Sequence, residues 1–276
     1  MTAVDLFRHW ELPPSIWAGC VILLAAYLWA RRFKFDLKTL SFSSGVLIIF
    51  LALCSPLDAL ADGYLFSAHM LQHMLLGTIA PPLLIAGIPA SFVESWLRFR
   101  IVAWLERILS QPVLALFVGC GTFWVWHLPG PYTYALENET VHTIEHLLFI
   151  VSGTMLWWPV LKPVPEGKLA PMGALIYLGL VSFIGMILGI IFTVSDTVFY
   201  SYYNHPEDEL GLLKLIRDDW GVTALDDQKL GGGMMWEPMG AVFLCAMMSA
   251  LVSWYKRSEH ELLHQHERRS KRVSEK

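Results

Sequence analysis

At 276 residues, with 55% hydrophobic and only 16% charged residues and twelve tryptophans, the chain is too apolar for the soluble-enzyme classes and falls among membrane proteins. A formal net charge of −4 offers no basic surface for nucleic acid, although the distribution of charge matters more than its sum. Cys20, Cys54, Cys120 and Cys245 lie far apart in apolar runs with no C-x-x-C spacing, so they read as small core residues and not as a disulfide framework.

A span needs roughly 20 mostly apolar residues to cross a hydrocarbon core of about 30 Å. Seven segments qualify, at 15–30, 42–60, 65–88, 112–128, 140–160, 171–193 and 230–255. The first, Ser15 to Ala30, has no basic stretch before it and Arg31-Arg32 directly after it, which predicts a retained helix rather than a cleaved signal. Between the third and fourth spans, Phe92 to Leu109 sets apolar residues against Glu94, Arg98, Arg100, Glu106 and Arg107 at helical spacing. That pattern predicts either a helix lying in the membrane interface or an ordinary loop helix. The segment 194–229 is acidic and rich in tyrosine, with His205-Pro206-Glu207-Asp208-Glu209 and Asp218-Asp219; it reads as a solvated loop, with partner docking as the alternative. Residues 1–255 thus form one all-α transmembrane domain, a bundle of about seven helices, and 256–276 a basic tail.

Cytoplasmic loops retain Lys and Arg. With the N-terminus outside and the C-terminus cytoplasmic, sixteen of the twenty basic residues lie inside and only Arg8, Lys214, Arg217 and Lys229 lie outside. An even number of spans would destroy that asymmetry.

This topology brings five histidines to one level at the outer face: His69 and His73 opening the third span, His127 closing the fourth, and His142 and His146 opening the fifth. Each H-x-x-x-H pair puts two imidazoles on one helix face, with Cβ atoms about 5–6 Å apart. Ionisable groups inside spans are costly and face a bundle interior or cavity. Coordination of a metal by neutral imidazole compensates that cost; a polar hydrogen-bonded network or a proton path is the alternative. Asp58, Asp62, Glu145 and Glu237 lie at the same level as further ligands or as acceptors that orient the rings. Asp58 has a second reading as the cap or turn residue after Pro56. Imidazole suits zinc, copper and iron alike, whereas thioether favours Cu(I). Met70 and Met74 follow the first histidine pair and Met234-Met235 open the last span, so soft donors are at hand, although methionine also serves as packing.

Other motifs compete. His142-Thr143-Ile144-Glu145-His146 matches H-x-x-E-H, which would make the chain a membrane zinc hydrolase. A haem held by two histidines is a further option. His260-Glu261-Leu262-Leu263-His264 is a literal H-E-x-x-H, but only twelve residues follow it, too few to build a domain around a metal.

Several stretches together resemble the CtaG-type membrane proteins associated with assembly of haem-copper cytochrome c oxidases. They are Ser55-Pro56-Leu57-Asp58; Ser67-Ala68-His69-Met70-Leu71-Gln72-His73-Met74 with Ala80-Pro81-Pro82; Trp126-His127-Leu128-Pro129; Val141-His142-Thr143-Ile144-Glu145-His146; Trp157-Trp158-Pro159; and Asp227-Gln228 with Met235-Trp236. The resemblance implies copper held at the outer face of a bacterial cytoplasmic membrane by His69, His73, His127, His142 and His146. It also implies a copper donor protein and an oxidase subunit as partners, with no catalysis. Glu237 and the acidic insertion at 205–219 depart from the family's pattern. Since imidazole must be deprotonated to bind, metal should be lost below about pH 6.

Overall fold

A bilayer core supplies no water to backbone N–H and C=O groups, so apolar runs of this length must bond within themselves. The computed structural model describes residues 3–274, without the side chains of residues 3, 4, 257 and 260–274, and contains helices and turns but no strand among those residues. The side chains of the tail motif His260 to His264 therefore lie outside the described residues.

In chain order the helices are α1 (Ala3–Phe7), α2 (Pro14–Ala30), α3 (Leu37–Cys54), α4 (Pro56–Gly63), α5 (Phe66–Met74), α6 (Ala80–Gly87), α7 (Ala90–Trp96), α8 (Arg100–Leu109), α9 (Pro112–Trp126), α10 (Pro129–Glu137), α11 (Glu139–Leu161), α12 (Pro171–Val194) and α13 (Ala224–Ser274). A π turn, Leu75–Ile79, joins α5 to α6 into one span, Phe66–Gly87. Pro81 and Pro82 have no N–H to give the carbonyls of Gly77 and Thr78, and the helix widens where those bonds are missing.

Every expected segment is helical. Among the described residues, five helices are long and apolar enough to cross a membrane: Leu37–Cys54, Phe66–Gly87, Glu139–Leu161, Pro171–Val194 and Ala224–Lys256. A sixth is counted if α8 and α9, which meet at a 68° bend, form one broken span, and α2 is a shorter apolar helix of 17 residues. The expected second span, 42–60, ends earlier, at Cys54. Pro56 lacks the N–H that would continue α3, and Ser55 turns the chain and caps α4 by accepting from the Leu57 N–H at 3.3 Å. Ser55, and not Asp58, takes the capping role after α3. The amphipathic stretch 92–109 forms α7 and α8, and α8 leaves Ile101, Val102, Trp104 and Leu105 exposed, as an interfacial helix would.

Small residues set the closest crossings. A Cβ on Gly232 of α13 would stand 2.7 Å from the Thr193 nitrogen of α12, and one on Gly153 of α11 would strike the Gly77 carbonyl in the π turn. At the bundle end away from the histidines, buried Lys162 donates to Glu106 at 2.8 Å and to Ser110 at 3.3 Å, tying α8 to the end of α11. All four cysteines are free thiols.

Candidate metal centre

The five histidines carried by α5, α9 and α11 do meet, because the ends of these helices are fixed in place. Leu65 offers α5 no side-chain cap. Asp227 of α13 supplies one across the bundle, accepting from the N–H of Phe66 at 2.6 Å, the N–H of Ser67 at 3.2 Å and the Ser67 hydroxyl at 2.5 Å. Neighbouring Gln228 accepts from the Phe199 N–H at 2.7 Å and donates to the Thr197 carbonyl at 2.9 Å, pinning the start of the acidic loop. Asn138 caps α11 by accepting from the Val141 N–H at 3.1 Å, one residue before His142. His127 is the residue on which α9 ends.

The rings of His69 and His73 have centroids 4.2 Å apart, as do those of His142 and His146. Across the helices His69 stacks on His142 at 5.2 Å, His73 lies 5.7 Å from His146, and His127 lies 5.8 Å from His73. All five are buried, His69 completely. Backbone carbonyls fix two tautomers. His69 Nδ1 is 3.3 Å from the Ala61 oxygen and His127 Nδ1 is 2.6 Å from the Phe123 oxygen. A carbonyl only accepts, so each Nδ1 carries the proton and each Nε2 presents a lone pair.

Buried polar atoms ordinarily find a hydrogen-bond partner. Here His69 Nε2, both nitrogens of His73, His142 Nε2, His146 Nε2 and both oxygens of Glu145 have none. Glu145 is fully buried, with Oε1 3.6 Å from His73 Nε2 and Oε2 4.0 Å from His142 Nε2. A set of convergent Lewis bases that do not bond to one another fits a cation between them. Among the described residues, two overlapping triads have donor atoms within 4.8 Å of one another: His69, His73 and Glu145, and Asp62, His69 and His142. Asp62 reaches in from α4, its Oδ2 3.6 Å from His142 Nδ1, and its side chain is 45% exposed, so it stands between the buried cluster and the surface. The surface side is an acidic cavity of about 360 Å³ lined by Glu11, Asp58, Asp62, Glu207 and Glu209.

The other candidate residues fall elsewhere. Asp58 accepts from Gln72 Nε2 at 2.5 Å, and the same amide nitrogen lies 2.9 Å from the Ala52 carbonyl, so Asp58 braces α5 from outside both triads. Glu237 is exposed on α13. It sits two residues, or about 200° of helix rotation, from buried Met235, and therefore faces away from the cluster and supplies no ligand to it. Met70 and Met74 are buried and line a cavity beneath the imidazoles.

Sequence reasoning missed the aromatic roof. Tyr132 of α10 stacks on Tyr200 at 3.9 Å and shares a 2.7 Å hydroxyl contact with Tyr203, while its ring lies 5.0 Å from that of His69. Tyr200 donates to the His127 carbonyl at 2.7 Å. The tyrosines were visible in the loop, but nothing in their spacing tied them to the histidines. Arg217 anchors the acidic loop by donating to the carbonyls of Val222 at 2.6 Å and Tyr203 at 2.8 Å.

Fold and site together define a polytopic helical membrane protein with a buried imidazole and carboxylate centre at one end of its bundle. The chain belongs to the family of cytochrome c oxidase caa3 assembly factors (Caa3_CtaG), which matches residues 20–257. Among curated proteins it is 22% identical over 299 residues to the uncharacterized proteins Mb0105 of Mycobacterium bovis and MT0111 of Mycobacterium tuberculosis, with 92% of this chain and 42% of each relative covered. It is 20% identical over 218 residues to the uncharacterized protein ML1998 of Mycobacterium leprae, covering 72% of this chain and 31% of that one. The chain thus spans about two-fifths or less of the length of these relatives. No solved structure matches it.

Proposed function

We propose that this protein holds copper at the imidazole cluster and hands it to a cytochrome c oxidase during assembly, in a bacterial cytoplasmic membrane with the cluster at the outer face. The observation that carries the reading is the set of unpartnered ring nitrogens on His69, His73, His142 and His146 together with the unpartnered carboxylate of Glu145, with His69 shared between two triads of close donor atoms. Desolvating that many polar groups costs several kcal/mol unless they are compensated, and a bound cation compensates all of them at once. The copper is cargo. Asp62 and the carboxylates of the acidic cavity attract and pass a cation inward, Glu145 offsets its charge, and the carbonyl-held ring of His69 keeps its lone pair aimed at it. A copper donor at the outer face would load the site, and a haem-copper oxidase subunit would unload it by ligand exchange.

The H-x-x-E-H helix would also hold zinc, but hydrolysis asks for a catalytic water and a substrate cleft beside the glutamate. Glu145 is wholly enclosed between His73 and His142, which suits charge compensation better. Haem finds little room where histidine centroids lie 4.2 Å apart above a cavity of about 60 Å³. Metal analysis of protein purified without added metal tests the reading. Copper should be present in wild type and lost from His73→Ala and His146→Ala. Stoichiometric zinc that survives washing, or no metal at all, would sink it, and an intense Soret band would point to haem.

A further inference from the structure

Beneath the imidazole cluster, toward the middle of the bundle, lies a separate cavity of about 60 Å³. We propose that it is a second site, for a soft monovalent cation such as Cu(I), built from the thioethers of Met70, Met74, Met235 and Met239 with His127 Nε2 at its roof.

The first argument is helical spacing. Met70 and Met74 are four residues apart on α5, and Met235 and Met239 are four apart on α13; all four are buried and line this cavity. Residues at i and i+4 share one helix face, so two packed helices each present a pair of thioethers to one space. Each methionine of α5 follows a histidine, and the 100° step between neighbours gives one helix two donor faces: imidazole toward α11 and thioether toward the cavity. One such pair is ordinary packing. Two pairs bordering one cavity, with the Cys120 thiol also in its lining, form a soft donor set of the kind that selects Cu(I).

The second argument concerns lone pairs. His127 gives its Nδ1 proton to the Phe123 carbonyl, so Nε2 of the neutral ring is a base, yet it lies 3.1 Å from the Met70 sulfur. Thioether sulfur has no proton to donate. Two lone-pair donors in contact are unfavourable by themselves and become a chelating nitrogen and sulfur pair when a cation binds both. His73, with neither ring nitrogen partnered, also lines the cavity and connects it to the cluster above. The cavity is large enough for a bare ion or a few waters; apart from the hydroxyls of Thr78 and Ser152 the rest of its wall is apolar, with side chains such as Phe149, Leu156 and Phe243, which favours a low-charge ion over a hydrated divalent one.

The inference rests on the copper reading, and the experiment separates the two. The full chain, in a Cys120→Ser background and stripped of metal in detergent, is titrated anaerobically with Cu(I) and with Ag(I), and X-ray absorption is recorded on the copper-loaded protein. Thioether sulfur should appear around copper in that protein and persist when His142→Ala and His146→Ala are added. Met70→Leu with Met235→Leu, which conserves volume, should bind one equivalent of Ag(I) fewer, and the copper it keeps should show nitrogen and oxygen neighbours alone. Absence of sulfur in the loaded protein overturns the second site, as does an Ag(I) count unchanged by the leucines. Complete loss of copper from the His142→Ala, His146→Ala protein also overturns it and leaves the imidazole reading standing. A shell of sulfur with a single nitrogen, indifferent to those alanines, would support the thioether site and sink the imidazole reading. Should the leucine variant misfold, the spectra of the other two proteins decide.

Discussion

Asp58 and Asp227 are both acidic side chains that touch α5, one from α4 and the other from α13. Asp58 lies beyond the end of α3, and burial pushes its carboxyl up to about 7 from an ordinary value of 3.8, against the lowering effect of the Gln72 hydrogen bond. Between roughly pH 4 and 7 the folded protein therefore binds more protons at this position than the unfolded chain does. Folding stability in the metal-free protein should fall as pH rises through that window and level off above it. Asp58→Asn keeps an oxygen for Gln72 and removes the titration, so unfolding followed at pH 4.5 and 7.5 should show a smaller difference than in wild type. An equal difference in both proteins would refute this account. Asp227 instead accepts three hydrogen bonds that open α5. Asp227→Ala leaves two buried N–H groups and a hydroxyl unpaired, at a cost of about 3 kcal/mol, and loosens the turn that carries His69. A lowered unfolding midpoint in detergent together with weaker copper retention checks this, and Asp227→Asn should lie between. The histidines were legible in the sequence because i, i+4 spacing and span topology are local rules. The roles of Asp227 and of Ser55 were not, since one acts across 160 residues of chain and the other was masked by the nearby aspartate.

Among the elements, the apolar runs announced the long helices, but not how the helices come close enough to make a site. The π turn at Leu75–Ile79 lies directly after the segment carrying His73, and its Gly77 receives Gly153 of α11, seven residues beyond His146. That backbone contact sets the separation of the two histidine pairs. A Cβ on Gly153 would meet the Gly77 carbonyl, which has no rotamer by which to yield. Gly153→Ala should destabilise the bundle by about 1–3 kcal/mol, the usual cost of overpacking, and should weaken metal binding although no ligand is altered. Gly121→Ala in α9, where a Cβ meets nothing within 4 Å, is the control and should leave both unchanged. Full copper retention in Gly153→Ala would show that the crossing does not set the site. The helix boundary at Ser55-Pro56 escaped the sequence reading for a related reason: hydropathy averages over a break that proline makes at one residue.

For the whole molecule, the ends of the bundle differ in chemistry. One end carries the imidazole cluster, the aromatic roof and an acidic cavity lined by Glu11, Asp58, Asp62, Glu207 and Glu209. The other carries the buried Lys162 and Glu106 pair and the amphipathic helix α8 with Arg100 and Arg107. Basic flanks are retained on the cytoplasmic side during insertion, and an anionic inner leaflet attracts them further, so an orientation set by this asymmetry would place the acidic mouth where cations arrive from outside. Two single-cysteine variants in a cysteine-free background test this. Glu207→Cys, on the exposed loop beside the acidic cavity, should react with a membrane-impermeant maleimide in intact cells. Glu166→Cys, exposed between α11 and α12 at the opposite end, should react only after permeabilisation. The reverse pattern would turn the cluster toward the cytoplasm, and the proposed loading from an outer donor would then be untenable.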